Sequence, residues 1–239
     1  MQNRYAGDVG DFGKFGLLRQ ISSSGLRLGI NWYLVPDESH NADGKHIGYI
    51  TDPRYNGCDD ALRTSLKSIV NGQRTISALE TMDLIPTTIY YQDMLYSPSQ
   101  IFSRRDWHIK ALEVLRAADF VFLDPDNGVL VKSVSTGSSK SNKYVIPNEI
   151  ADYFTAGKSV IIYNHRCREQ EAVYLRRFNW MREDSAINSA DISGVKFSRG
   201  TVRDYIFVLQ RDHEVRITAC VKNMLQGPWG NHFSRLALS

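Results

Sequence analysis

The stretch that decides the reading is Phe120-Val121-Phe122-Leu123-Asp124-Pro125-Asp126-Asn127-Gly128. Four apolar or β-branched residues in a row suit a strand buried on both faces. Acid, proline, acid, amide and glycine then stop it. In open α/β sheets, ligands collect beyond the carboxyl ends of the strands. Asp124, Asp126 and Asn127 are therefore candidate catalytic residues. Asn127 can donate and accept, which suits a base edge or an amino group. Two carboxylates one residue apart also suit a hard cation such as Mg²⁺. The same five residues are good turn chemistry, so a purely structural turn is the competing explanation.

Working outward, strand-like runs recur at Leu28–Val35, Thr87–Tyr91 and Ser159–Tyr163, with two more around 194–197 and 205–209. Helical spacing lies between them, over Phe12–Ile21, Cys58–Val70, Trp107–Leu115, Asn148–Phe154 and Glu169–Phe178. Alternating strands and helices predict an α/β fold, a Rossmann-like and mostly parallel sheet with helices on both faces. The last two strands are joined only through Arg199-Gly200-Thr201. So short a connection predicts an antiparallel pair. We expect one domain over 1–239, with an elaborated loop at about 37–60 and a mobile loop, a candidate lid, at about 132–143.

Each remaining polar cluster follows or precedes a strand. His165, in Tyr163-Asn164-His165-Arg166, is placed to carry a proton or contact a phosphate. Asp93, in Gln92-Asp93-Met94, is a candidate ligand contact beside Asp124. After the first strand come Asp37, Glu38, His40, Asn41, Asp43, Lys45 and His46, with carboxylates suited to ribose hydroxyls or a metal. No tight ligand spacing such as His-Glu-x-x-His appears, which argues against zinc. Near the start, Gly7, Gly10 and Gly13 alternate with Asp8, Asp11 and Lys14 at intervals of three. Asp11 is expected to cap a helix whose first turn holds Lys14. The glycines either let backbone approach an anion or simply pack the helix on the sheet.

Cys58, Cys167 and Cys220 are too few and too scattered for a disulfide framework or a zinc site, and they fit a reducing compartment. There is no apolar run of membrane-spanning length and no signal-like apolar core near Met1, so a cytoplasmic location and no membrane partner are expected. A net charge of +3 permits a nucleic-acid partner without requiring one. Arg104, Arg105, Lys110, Arg176, Arg177, Arg199 and Arg203 lie among Trp107, Tyr174 and Trp180 in a mixture able to contact RNA or DNA, or merely water. Nothing in the sequence sets the oligomeric state.

The order of these elements resembles class I methyltransferases that use S-adenosylmethionine, and within them the ribosomal-RNA adenine-N6 methyltransferases. Asp124-Pro125-Asp126-Asn127 stands where those enzymes carry an Asp/Asn-Pro-Pro-Tyr-like tetrad that holds the target amine. The resemblance implies a cofactor site that includes Asp93 at the adenine and Asp11 with Lys14 at the methionine end. Asp37 would join that site, and transfer would go to an amino group such as a nucleic-acid adenine. The turn Leu34–Ser39 holds no glycine, however, and Asp126 replaces the second proline. Two other functions suit the same residues: a Mg²⁺-dependent phosphoesterase or nuclease, and a non-catalytic binding module on a decayed scaffold.

Overall fold

The computed structural model describes residues 1–38, 44–95 and 103–238. In chain order, α1 (Val9–Ser22) precedes β1 (Leu28–Asn31), and α2 (Asp60–Asn71) and α3 (Ile76–Thr81) lead to β2 (Ile89–Tyr91). Next come α4 (Arg104–Val114), β3 (Phe120–Leu123), β4 (Gly128–Val129) and β5 (Tyr144–Val145). Then α5 (Pro147–Thr155) leads to β6 (Ser159–His165), followed by α6 (Glu171–Leu175) and α7 (Trp180–Glu183). The chain ends with β7 (Asp191–Arg199), β8 (Thr201–Leu209), α8 (Arg211–Gln226) and β9 (Phe233–Arg235).

Seven strands form one sheet in the order β2-β1-β3-β6-β8-β7-β9. The first four are mutually parallel, and β8 runs against both β6 and β7. The fold is α/β and Rossmann-like, with an antiparallel C-terminal strand pair. Gly200, at φ 68°, makes the tight reversal between β7 and β8 that only glycine adopts without strain. From β1 the chain moves outward to β2 and then crosses back to β3 on the other side. The carboxyl ends of β1 and β3 thus flank a topological switch point, where such sheets bind ligands.

Alternation along the strands sends side chains into two cores. Phe120 and Phe122 join Leu28, Ile30, Phe15 and Ile217 on one face, while Val121 and Leu123 join Ile162, Trp107 and Ile150 on the other. Each such fully buried side chain contributes about 1.5–3 kcal/mol relative to exposure. Helix α1 is buried nearly all round, so it behaves as a core helix rather than an amphipathic surface one.

The first strand is shorter than the run Leu28–Val35 suggests. Tyr33 adopts φ 48° and breaks the ladder, which resumes only as a bridge between Leu34 and Met94. Tertiary contacts hold that kink: the Tyr33 hydroxyl donates to Glu149 at 2.9 Å and its ring meets Trp107 edge-on. Residues 169–178 form only the short α6 and a 3₁₀ turn. In the 37–60 loop, the described part carries 3₁₀ turns at Gly48–Ile50 and Pro53–Tyr55; His40, Asn41 and Asp43 lie outside the described residues. The 132–143 segment ends in a 3₁₀ turn, Ser139–Lys143, with Ser141 and Asn142 buried. Arg104 ties it down, donating to Ser141 O at 2.9 Å and Tyr144 O at 2.6 Å.

Candidate functional site

Two cavities open at the carboxyl ends of the strands. The polar one, about 400 Å³, is lined by residues of α1, the loop after β3 and the end of β6, and by Thr201 and Arg203 of β8. The apolar one, about 650 Å³, lies beyond β1 and β2 and is lined by Val35, Pro36, Leu95, Val134 and their neighbours. Both volumes suit small-molecule sites. Glu38, Asn127 and Lys143 line both cavities, so the two share a wall.

The floor of the polar cavity is an ionic lattice built on α1. Asp8, not Asp11, is the N-cap, accepting from the backbone N–H of Gly10 and Asp11 at 2.7 and 3.0 Å. Capping one turn earlier frees Asp11 to accept from Gly7 N–H at 2.8 Å and from Lys14 Nζ at 2.7 Å. Lys14 then bridges to Asp124 Oδ2, also at 2.7 Å, and sits 5.4 Å from the Trp32 ring centroid. Lys14 and Asp124 are 3% and 2% exposed. Burial opposes the Lys14 charge, but the Asp11 and Asp124 carboxylates outweigh it and hold the ammonium above its ordinary range. Burial pushes the Asp124 carboxyl up, against the pull of Lys14, and pushes Asp8 up against the pull of Arg203.

Arg203 completes the floor. Its guanidinium donates to the carbonyls of Arg199 and Thr201 and approaches Asp8 Oδ2 at 3.4 Å. It can lie there because residue 10 is glycine: a Cβ at that position would meet Arg203 Cζ at 2.7 Å. Gly13 and Gly16 continue the same stripe, accepting Phe197 and Trp229, where a Cβ would come within 2.8 and 2.3 Å. The glycine periodicity is thus helix-on-sheet packing, and those glycines do not present backbone to an anion.

Asp124 and Asp126 face different partners. Asp126 pairs with the Met1 ammonium at 2.8 Å and accepts from Gln2 Nε2 at 2.6 Å, while Asp124 is committed to Lys14. Attraction by the Met1 ammonium, opposing burial, holds Asp126 below its ordinary value. Among the described residues no group of three or more His, Cys, Asp and Glu is arranged to hold a metal ion.

Asn127 is held by its backbone alone. Its N–H donates to Lys143 O at 2.9 Å and its carbonyl accepts from His165 N–H at 3.1 Å. Its side-chain amide has no hydrogen bond to the described residues and faces the shared wall. Gly128, at φ 113°, lets the Asn164 carboxamide pass beneath this turn, where its Oδ1 accepts from Val129 N–H at 2.8 Å.

The sequence candidates divide accordingly. Asp11, Lys14, Asp124, Asp126, Asn127 and His165 all line the polar cavity, while Asp37 lines the apolar one and accepts from Asn3 N–H at 2.8 Å. Asp93 lines neither; it is exposed on the α4 side, paired with Lys110 at 2.5 Å. The supposed convergence of Asp37, Asp93 and Asp124 on one cleft therefore does not occur: Met94 and Leu95 turn inward after β2, and Asp93 turns out. Asp8, Tyr163, Lys143 and Arg203 join the polar cavity although none was among the candidate site residues. Asp8 carried a signal, its interval of three from Asp11; Arg203 stood out only as one of a scattered basic set. No family model matches the chain, and no curated protein matches it either.

Proposed function

We propose that this chain is a methyltransferase-like enzyme that takes S-adenosylmethionine in the apolar cavity and an acceptor amine in the polar one. The observation that supports this most is the shared wall, where the Asn127 amide, without a hydrogen bond to the described residues, stands between the two cavities. The apolar cavity suits the donor's nucleoside: Val35, Pro36, Leu95 and Val134 would hold the base, and Asp37 and Glu38 the ribose hydroxyls. The backbone next to β1 is already engaged, since Tyr33 O accepts from the Met1 amine and Val35 N–H donates to Met1 O. The donor would therefore be held from Val35 outward, without a glycine turn.

When bound, the donor supplies a methyl group on a positively charged sulfur. The chain's own contribution is orientation and electrostatics. The Asn127 carboxamide oxygen would accept from the acceptor N–H and aim the nitrogen lone pair. Asp124, fixed by Lys14, holds negative potential beneath the nitrogen as positive charge develops. His165, exposed at the rim, would pass the lost proton to solvent. A Mg²⁺ ion shared by Asp124 and Asp126 is disfavoured, because the two carboxylates already serve different cations.

Calorimetry with S-adenosylhomocysteine tests the reading. Saturable binding is expected, with stabilisation of ~2.7 kcal/mol at a ligand concentration of ~100 Kd. Val134→Arg, a partly exposed loop position, should abolish it. Absence of any saturable heat with the wild-type chain overturns the donor site.

A further inference from the structure

Two walls of the apolar cavity come from distant parts of the chain. Val35 and Pro36, beyond β1, form one, and Asn142, Lys143 and Tyr144, at the start of β5, form the other. A single buried carboxylate reaches towards both. Glu149, in the first turn of α5 and 2% exposed, accepts from the Tyr33 hydroxyl at 2.9 Å. It also accepts from Arg104 Nε and Nη2 at 2.6 and 2.9 Å. A further bond from Ile146 N–H at 3.2 Å closes the start of α5 and fixes the carboxylate itself.

Each of these partners holds a wall. Tyr33 stands two residues before Val35 and keeps φ 48°, a left-handed conformation that a bulky residue retains only under outside constraint. Burial, with the Glu149 carboxylate beside it, pushes the Tyr33 hydroxyl well up, so it remains a donor. Arg104 aims the rest of its fork at the opposite wall, Nη1 to Ser141 O at 2.9 Å and Nη2 to Tyr144 O at 2.6 Å. Lys143, between those two residues, accepts through its carbonyl from Asn127 N–H at 2.9 Å. The same chain of bonds thus ends at the residue on the shared wall.

We infer that Glu149 and Arg104 are positioning residues of this site: Glu149 fixes the separation of the two walls, and Arg104 carries that geometry to Asn127. Neither lines either cavity, so both act through other residues. The identity of the ligand rests on the methyltransferase-like reading; the coupling of the walls does not. The competing role is that of a staple between α4 and α5, which would stabilise the whole fold evenly.

Three variants separate the arms. Glu149→Gln keeps the shape and replaces one acceptor oxygen with a donor, Tyr33→Phe removes one hydroxyl, and Arg104→Lys keeps the charge but loses the fork. Amide hydrogen exchange on the full chain reads the walls without ligand. Val35 and Leu95, bonded to Met1 O and Leu34 O, report on the first wall; Ser141 and Asn127, bonded to Ser138 O and Lys143 O, report on the second. Tyr33→Phe should speed exchange about tenfold at the first pair only, Arg104→Lys at the second pair only, and Glu149→Gln at both. In calorimetry, S-adenosylhomocysteine should bind about tenfold more weakly to each variant, because a site held loosely loses its fit. Val221→Ala, a core change on α8, is the control: it should lower Tm and leave Kd unchanged. Exchange that rises evenly along the chain in Glu149→Gln, or at one wall only, overturns the inference. Should that variant fail to fold, the two milder ones decide, and unchanged exchange at both walls in either overturns it. Loosened walls with no S-adenosylhomocysteine binding by the wild type keep the coupling and remove the donor. Wild-type affinity in all three variants removes the positioning role and keeps the donor.

Discussion

The Arg203 guanidinium lies directly on the backbone of Gly10, so close that one added methyl group at residue 10 would stand 2.7 Å from its Cζ. A helix and a strand 193 positions apart in sequence are thereby locked face to face, and the charge that walls the polar cavity is set by a missing side chain. Gly10→Ala should displace Arg203 and cost about 1–3 kcal/mol, the usual penalty for overpacking. Chemical denaturation would measure it. A Gly10→Ala protein as stable as wild type would show that Arg203 has room to move.

Lys14 bridges two buried carboxylates at once. Lys14→Met removes the cation and leaves Asp11 and Asp124 uncompensated, with an expected loss of about 3–5 kcal/mol. The double variant Lys14→Met/Asp124→Asn should recover part of it. Additive losses in the double-mutant cycle would contradict the bridge.

The same bridge decides what Asp124→Ala does. Asp124 is buried, and its removal strands Lys14. We expect both a loss of ligand binding and a fall in Tm, whereas Asn127→Ala should reduce binding with stability changed by less than about 0.5 kcal/mol. Comparing melting curves of the two variants separates a residue that holds the floor from one that only faces the ligand.

His108 predicts the acid limit of stability. It packs between α4 and α5, with Nε2 3.1 Å from Asp152, Glu149 and Arg104 nearby and its ring edge-on to Tyr153. Burial lowers its folded value below the ordinary 6.5, outweighing Glu149 and Asp152. The unfolded chain therefore binds the proton more readily. The stabilising contribution is complete above about pH 6.5 and is lost as pH falls through the depressed folded value. Thermal melts from pH 7.5 to 5 should show this decline, and His108→Gln should flatten it. An unchanged slope in the variant would assign the decline to other groups.

Local pattern was enough to read the strand Phe120–Leu123, the helices around Phe12–Ile21 and Cys58–Val70, and the antiparallel close of the sheet. In each case apolar spacing and the turn residues agree with the final packing. It misread Tyr33, whose kink depends on Glu149 and Trp107 from distant segments, and Asp93, whose direction after β2 no spacing encodes. The helix begins one turn earlier than the spacing suggested, with Asp8 as its cap, and Asp11 is thereby free to bind Gly7 N–H and Lys14.

From sequence alone follow the alternation of strand and helix and the polar break after Leu123, because hydrophobic periodicity and turn chemistry act over a few residues. Only the tertiary structure decided which charges meet. Lys14 joins Asp124 across 110 positions and Asp8 meets Arg203 across 195. Burial then makes those meetings matter, since an ion removed from water is held by its nearest opposite charge, wherever along the chain that charge began.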